Sequence, residues 1–172
     1  MRMHSSQLVS RLVVLLALGV SVAQAQDAPA PAPAPTADAR VERLLKEIAA
    51  EYTVDDDGDF RLVYDIGGGR SQLVWIPSGT SSFGALEIRQ VWSIAHRSQG
   101  PLPVDLANRL LDRNGAVILG AWLTEPAGDE LGVIFAVQVA AEADALSLRS
   151  AIHAVATTAD AMEQELTAKD DF

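Results

Sequence analysis

The 172-residue chain contains no cysteine. That absence removes disulfide staples, thiol nucleophiles, zinc–thiolate centres and the lipid-bearing cysteine of a lipoprotein, so the fold must rely on its core. Basic residues are scarce, with 13 Lys and Arg against 23 Asp and Glu. Arg2 and Arg11 lie in the first 25 positions, which hold no acid. The other 147 residues therefore carry 11 basic and 23 acidic side chains, a formal charge of −12. Such a balance favours solubility and repels phosphate backbones, which speaks against nucleic acid as a partner. Histidine is almost missing: beyond position 25 only His96 and His153 occur, and neither belongs to a spaced ligand set such as H-E-x-x-H. No G-x-S-x-G nucleophile elbow is present. Past position 25, no apolar run is long enough to cross a bilayer, which takes about 20 residues.

What is present begins with an address. Arg2 and Arg11 precede or open an apolar run from Leu12 to Val22, and Ala23-Gln24-Ala25 has the small-x-small form that signal peptidase accepts. Residues 1–25 are thus expected to be a cleaved export signal, with the mature chain starting near Gln26. The expected destination is the periplasm, with release to the outside as the alternative, and no membrane association after cleavage. Residues 26–36 alternate Ala and Pro through most of their length and predict an extended, semi-rigid spacer. One domain is expected over 37–172.

Within it, Val41, Leu44, Leu45 and Ile48 recur at the spacing of one helical face, predicting a helix over 38–51. Phe60, Leu62, Tyr64 and Ile66 alternate with Arg61, Val63 and Asp65. Gly67-Gly68-Gly69 then turns the chain into a return strand in which Leu73 and Trp75 alternate with Gln72, Val74 and Ile76. A further strand places Leu86, Ile88, Trp92 and Ile94 on one face and Glu87, Arg89 and Val91 on the other. Pro103 and Gly115 punctuate a helix over 104–114. Strands over 118–124 and 131–139 follow, and Asp144 is placed to cap a final helix carrying Leu148, Ile152, Val155, Ala159, Met162 and Leu166. The order α-β-β-β-(β)-α-β-β-α, with strands joined by tight turns, predicts an α+β fold. It is an antiparallel β-sheet with helices packed on one face.

Taking the larger side chains as core leaves Val63, Val74, Ile76 and Val91 on the sheet face turned away from the helices. These four form the candidate interaction face, because an apolar second face calls for a cover.

Other candidates carry less. Asp55-Asp56-Asp57-Gly58-Asp59 suggests a calcium loop, but counting from Asp55 the glycine stands fourth and Ile66 twelfth, where an EF-hand needs glycine sixth and glutamate twelfth. A solvated turn fits better. Gly67-Gly68-Gly69-Arg70 is flanked by strands and not by a helix N-terminus, so a turn outweighs a phosphate cradle, with Arg70 left to meet an anion. His96 beside Ser98 raises hydrolase chemistry weakly. No catalytic residue, metal site or cofactor is expected.

Several stretches in order and spacing carry a resemblance. They are Leu44-Leu45 with Tyr52 and Val54, Gly58-Asp59-Phe60, Leu73-Val74-Trp75-Ile76, Leu86-Glu87-Ile88-Arg89 with Trp92-Ser93, and Leu119-Gly120-Ala121-Trp122. Together they cover about 38–167, and the chain resembles the YbjN domain family, the bacterial sensory transduction regulators. The resemblance implies a fold like that of type III secretion chaperones, commonly dimeric, and a non-enzymatic interaction module. It transfers no catalytic residue. The export signal departs from secretion chaperones, which act in the cytoplasm. The expected function is an exported protein-binding or chaperone-like module, as a homodimer or with a protein partner. A binder of a small apolar or lipid ligand is the alternative, and a hydrolase with an unrecognised site comes third.

Overall fold

A computed structural model describes residues 36–172. The expected signal over 1–25 and the spacer over 26–35 lie outside the described residues. The elements are α1 (Ala39–Glu47), β1 (Thr53–Val54), β2 (Phe60–Gly67), β3 (Arg70–Ile76), β4 (Ser81–Phe83), β5 (Leu86–Ser98), α2 (Val104–Asn114), β6 (Ala121–Ala127), β7 (Glu130–Ala140) and α3 (Ala145–Thr167). The fold is α+β. Its seven strands form one antiparallel sheet in the order β1-β2-β3-β5-β7-β6, with β4 paired to β5 off that path.

Local chemistry sets the element ends. Asp38 caps α1 by accepting the Arg40 N–H at 2.8 Å, and Asp144 caps α3 by accepting from Ser147 at 2.7 Å. α1 stops at Glu47, short of the expected 51, because Ala49 turns left-handed at φ 54°. The β2–β3 turn runs through Gly67, Gly68 and Gly69, all at positive φ, which only glycine adopts without strain.

The helices cover one sheet face. Val41, Leu44 and Leu45 from α1, Leu110 from α2, and Leu148, Ile152, Val155 and Met162 from α3 share a core with β-strand residues. The strand contribution is Phe60, Leu62, Val74, Ile76, Val91, Trp122, Val133, Phe135 and Val137.

This arrangement corrects the candidate interaction face. Val74, Ile76 and Val91 are fully buried beneath the helices, and only Val63 points away from them. Antiparallel register explains the reversal. Phe60 pairs with Ile76 and Leu62 with Val74, so whichever face takes Phe60 also takes Ile76 and Val74. Pairing the larger residues instead is a one-residue slip, and such a slip exchanges the faces of every side chain on the strand. The helix side thereby receives Gln72, Arg89 and Ser93, all buried. Gln72 donates from Nε2 to the Ile94 carbonyl at 2.6 Å, and Ser93 Oγ donates to the Leu73 carbonyl at 2.6 Å. These side-chain bonds cross the β3–β5 junction, where only Val74↔Ser93 and Trp75↔Trp92 pair.

Candidate interaction surfaces

The helix-free face carries the large side chains that the sequence reading assigned to the core. Trp75 and Trp92 stand opposite each other and stack with ring centroids 4.5 Å apart and 5° between planes. Beside them Ile94, Ile134 and Ala136 form a small buried cluster, against which Trp75, Trp92 and Phe172 pack. Two exposed cations flank this strip: Arg61 lies 5.5 Å from the Trp75 ring centroid and Arg97 lies 5.8 Å from that of Phe172.

A second apolar surface lies at the α2–β6 end of the sheet. Of ten large hydrophobic side chains exposed among the described residues, five fall between positions 104 and 123: Val104, Leu111, Ile118, Leu119 and Leu123. Ile118 is fully exposed. Leu111 and Leu123 line a groove of about 430 Å³ between α2 and β6, with Leu102, Leu110 and Trp122 behind them. Leu119 and Leu123 also line a neighbouring depression of about 300 Å³ that reaches Ala136 on the helix-free face. The apolar surface is therefore continuous around the β6 edge.

β6 is the last strand of the order, so one side of it pairs with no strand among the described residues. Asn114, closing α2, binds that side with both ends of its amide: Oδ1 accepts from the Trp122 N–H at 2.6 Å and Nδ2 donates to the Trp122 carbonyl at 3.3 Å. Pro126, two residues further from Thr124 and in the same register phase, has no N–H to offer. The edge is thus poorly suited to adding a strand, and its contacts must be made by side chains. Gly120, just before β6, has φ +89°, where a Cβ would stand 2.6 Å from the Ala136 carbonyl oxygen. The approach of the 118–120 turn to β7, which leaves Ile118 outside, depends on glycine there.

The polar candidates resolve differently. In 55–59 the Asp55 carboxylate accepts from the Asp57 and Asp59 N–H groups, and Asp59 accepts from the Ser78 N–H at 2.8 Å. Those two carboxylates tie loops together. Among the described residues the acids that converge are Asp160, Glu163 and Asp170, with oxygens within 4.8 Å of one another. Arg70 stands among them as counter-charge. Its Nε donates to Asp160 at 2.7 Å, its Nη1 to the Lys169 carbonyl at 2.8 Å, and its Nη2 lies 3.5 Å from Glu163. Arg70 is therefore engaged by its own chain, a correction to its expected freedom. Glu163 is fully buried and accepts the Asp171 N–H at 2.6 Å; burial pushes its carboxyl above the ordinary value. His153 shares a hydrogen bond with the Tyr64 hydroxyl at 2.8 Å on an exposed flank, and His96 sits on β5 opposite Val133. Neither joins a group of metal-ligating side chains among the described residues.

Sequence reasoning missed the α2–β6 surface because Ile118 and Leu119 read as the start of a strand. The available signal was the adjacent pair Ile118-Leu119 before Gly120, apolar residues without the alternation of a half-buried strand. It also missed the 168–172 segment, whose role is wholly tertiary. No protein-family model matches the chain, and no curated protein matches it.

Proposed function

We propose that the chain is an exported, non-enzymatic protein-binding or chaperone-like module. It works in the periplasm without a cofactor and joins a second copy or a protein partner through the α2–β6 end. The observation that carries the reading is the concentration of Leu111, Ile118, Leu119 and Leu123 around one guarded sheet edge. Apolar side chains gathered at one place, beside polar surface elsewhere, are what a docking surface presents before its partner covers it. The resemblance to the YbjN domain family supports the same reading, since that family implies an interaction module that dimerises.

Static light scattering on the mature protein tests this, alongside a Leu111→Glu, Ile118→Glu double variant. Both positions are exposed, so the variant should unfold at an unchanged temperature while losing self-association or partner capture. An unaltered protein that stays monomeric and captures nothing from a periplasmic extract would remove the reading.

One observation favours a second reading. The α2–β6 groove of about 430 Å³ lies within the size range of small-ligand sites, and it is lined mostly by apolar side chains. A small apolar or lipid ligand extractable in stoichiometric amount from the purified protein would support that reading over protein docking.

A further inference from the structure

We propose that the notch holding Phe172 is a recognition site for a second polypeptide bearing an aspartate-x-phenylalanine segment, guarded in cis by this chain's own Asp170–Phe172. The inference rests on the protein-binding reading and adds to it a separate surface with a defined partner chemistry.

The occupied notch shows what it recognises. After α3 ends, residues 169–172 run from the helix side to the helix-free face of the sheet. Arg70 Nη1 takes the Lys169 carbonyl at 2.8 Å. The Asp170 carboxylate accepts the Ser71 N–H at 3.2 Å and lies 3.8 Å from the Arg70 guanidinium. Asp171 contributes its backbone N–H, held at 2.6 Å by buried Glu163, while its side chain is exposed. Phe172 then packs on the Ile94, Ile134 and Ala136 cluster, with the Arg97 guanidinium 5.8 Å from its ring. The site thus reads a carboxylate, skips one side chain, and reads an aromatic ring.

These partners are supplied by the sheet and by α3, so they do not require that the segment belong to the same chain. Two features make the cis segment displaceable. Ala168, which joins it to α3, sits in the left-handed region at φ 55°, a conformation a non-glycine residue adopts at a cost. Phe172 is only half-buried, and the apolar strip continues past it to the Trp75–Trp92 stack, where Arg61 adds a second cation. The aromatic ring matches the Arg97 and Arg61 cations, and the carboxylate matches the Arg70 guanidinium, which it shares with Asp160 and Glu163.

Fluorescence anisotropy tests this with a labelled peptide of the sequence of residues 164–172, blocked at both ends, titrated with the purified protein. The Phe172→Ala protein, whose notch is vacated, should bind the peptide at least tenfold more tightly than the unaltered protein. Peptides carrying Asp170→Asn or Phe172→Ala should lose that affinity. An Asp170→Asn protein loosens the cis segment while keeping the ring, and should bind more tightly in the same sense if Phe172→Ala disturbs folding by circular dichroism. Equal affinity across these proteins, or no binding to either variant, overturns the proposal. A concentration-dependent dimer that Phe172→Ala abolishes supports it, with a second copy of this chain as the polypeptide that supplies the segment. Failure of the α2–β6 variants to alter association is read separately, since none of those residues touches the notch.

Discussion

Trp75 and Trp92 face each other across the β3–β5 junction with nearly parallel rings 4.5 Å apart, on the side of the sheet that none of the described helices covers. The contact lies at a short seam in the middle of the sheet, where two residue pairs join the β1–β3 half to the β5–β7 half. Backbone pairing is short there, so side chains complete it: the tryptophan stack on one face, and the Gln72 and Ser93 hydrogen bonds on the other.

Replacing Trp92 with Ala should therefore cost more than its half-exposed position suggests. The stack contributes about 0.5–1.5 kcal/mol beyond area burial, and apolar area is lost in addition. A total loss of about 2 kcal/mol is expected, read as a lower urea midpoint. Two stacked indoles also couple optically, so the far-ultraviolet exciton couplet should vanish in Trp92→Ala and in Trp75→Ala alike. A couplet surviving either substitution would show that the rings are not stacked in solution.

The reversed faces of β3 give a paired prediction. Val74→Glu places a carboxylate in the fully buried helix-side core and should cost about 3–5 kcal/mol, enough to abolish cooperative folding in a marginal domain. Leu73→Glu points to the helix-free face, where Leu73 is half-exposed beside Val63, and should stay folded. Circular dichroism and urea unfolding of the two variants decide it, and equal destabilisation would mean that both faces are core.

The same strand shows how far the sequence could be read. α2 was legible to the residue, because Pro103 and Gly115 leave no other start or stop. The cap at Asp144 and the shared face of Val133, Phe135 and Val137 were legible as well. The orientation of β3 and β5 was not. Leu73, Trp75, Trp92 and Ile94 outweigh Val74, Ile76, Val91 and Ala95 in apolar volume, and Gln72, Arg89 and Ser93 look like solvent-facing residues. Their burial is stable because Gln72 Nε2, the Arg89 guanidinium and Ser93 Oγ each find a carbonyl or carboxylate on another segment, and such a partner cannot be seen along one strand. The interaction surface was illegible for the complementary reason. Alternation locates faces, whereas the α2–β6 patch gathers a helix, a turn and a strand edge.

Acid should withdraw the stability contributed where the chain enters the domain. Arg89 is buried and donates to the Pro77 and Ser78 carbonyls and to Asp38, so it ties the start of α1 to β5 and to the loop after β3. Asp38 also receives Arg40, which bridges to Glu87 at 2.9 Å and to Glu142 at 2.6 Å. Hydrogen bonding by Arg40, with Arg89 adding to it, holds the Asp38 carboxyl well below the usual carboxylate range. Arg40, then Thr80, bring Glu87 down to about 2. Both folded values lie below the unfolded ones, so the stability these groups contribute is present above about pH 4 and is lost as pH falls toward 2. Glu163 runs the other way: its raised value makes stability decline as pH rises above the ordinary carboxylate value. The profile is therefore best isolated by substitution. Asp38→Asn should cost about 3–5 kcal/mol at pH 6, because Arg89 stays buried without its counter-charge. It should also flatten the loss between pH 4 and pH 2.5. Urea midpoints of both proteins at pH 6, 4 and 2.5 check this, and parallel profiles would mean that folding does not hold the Asp38 carboxyl below its ordinary range.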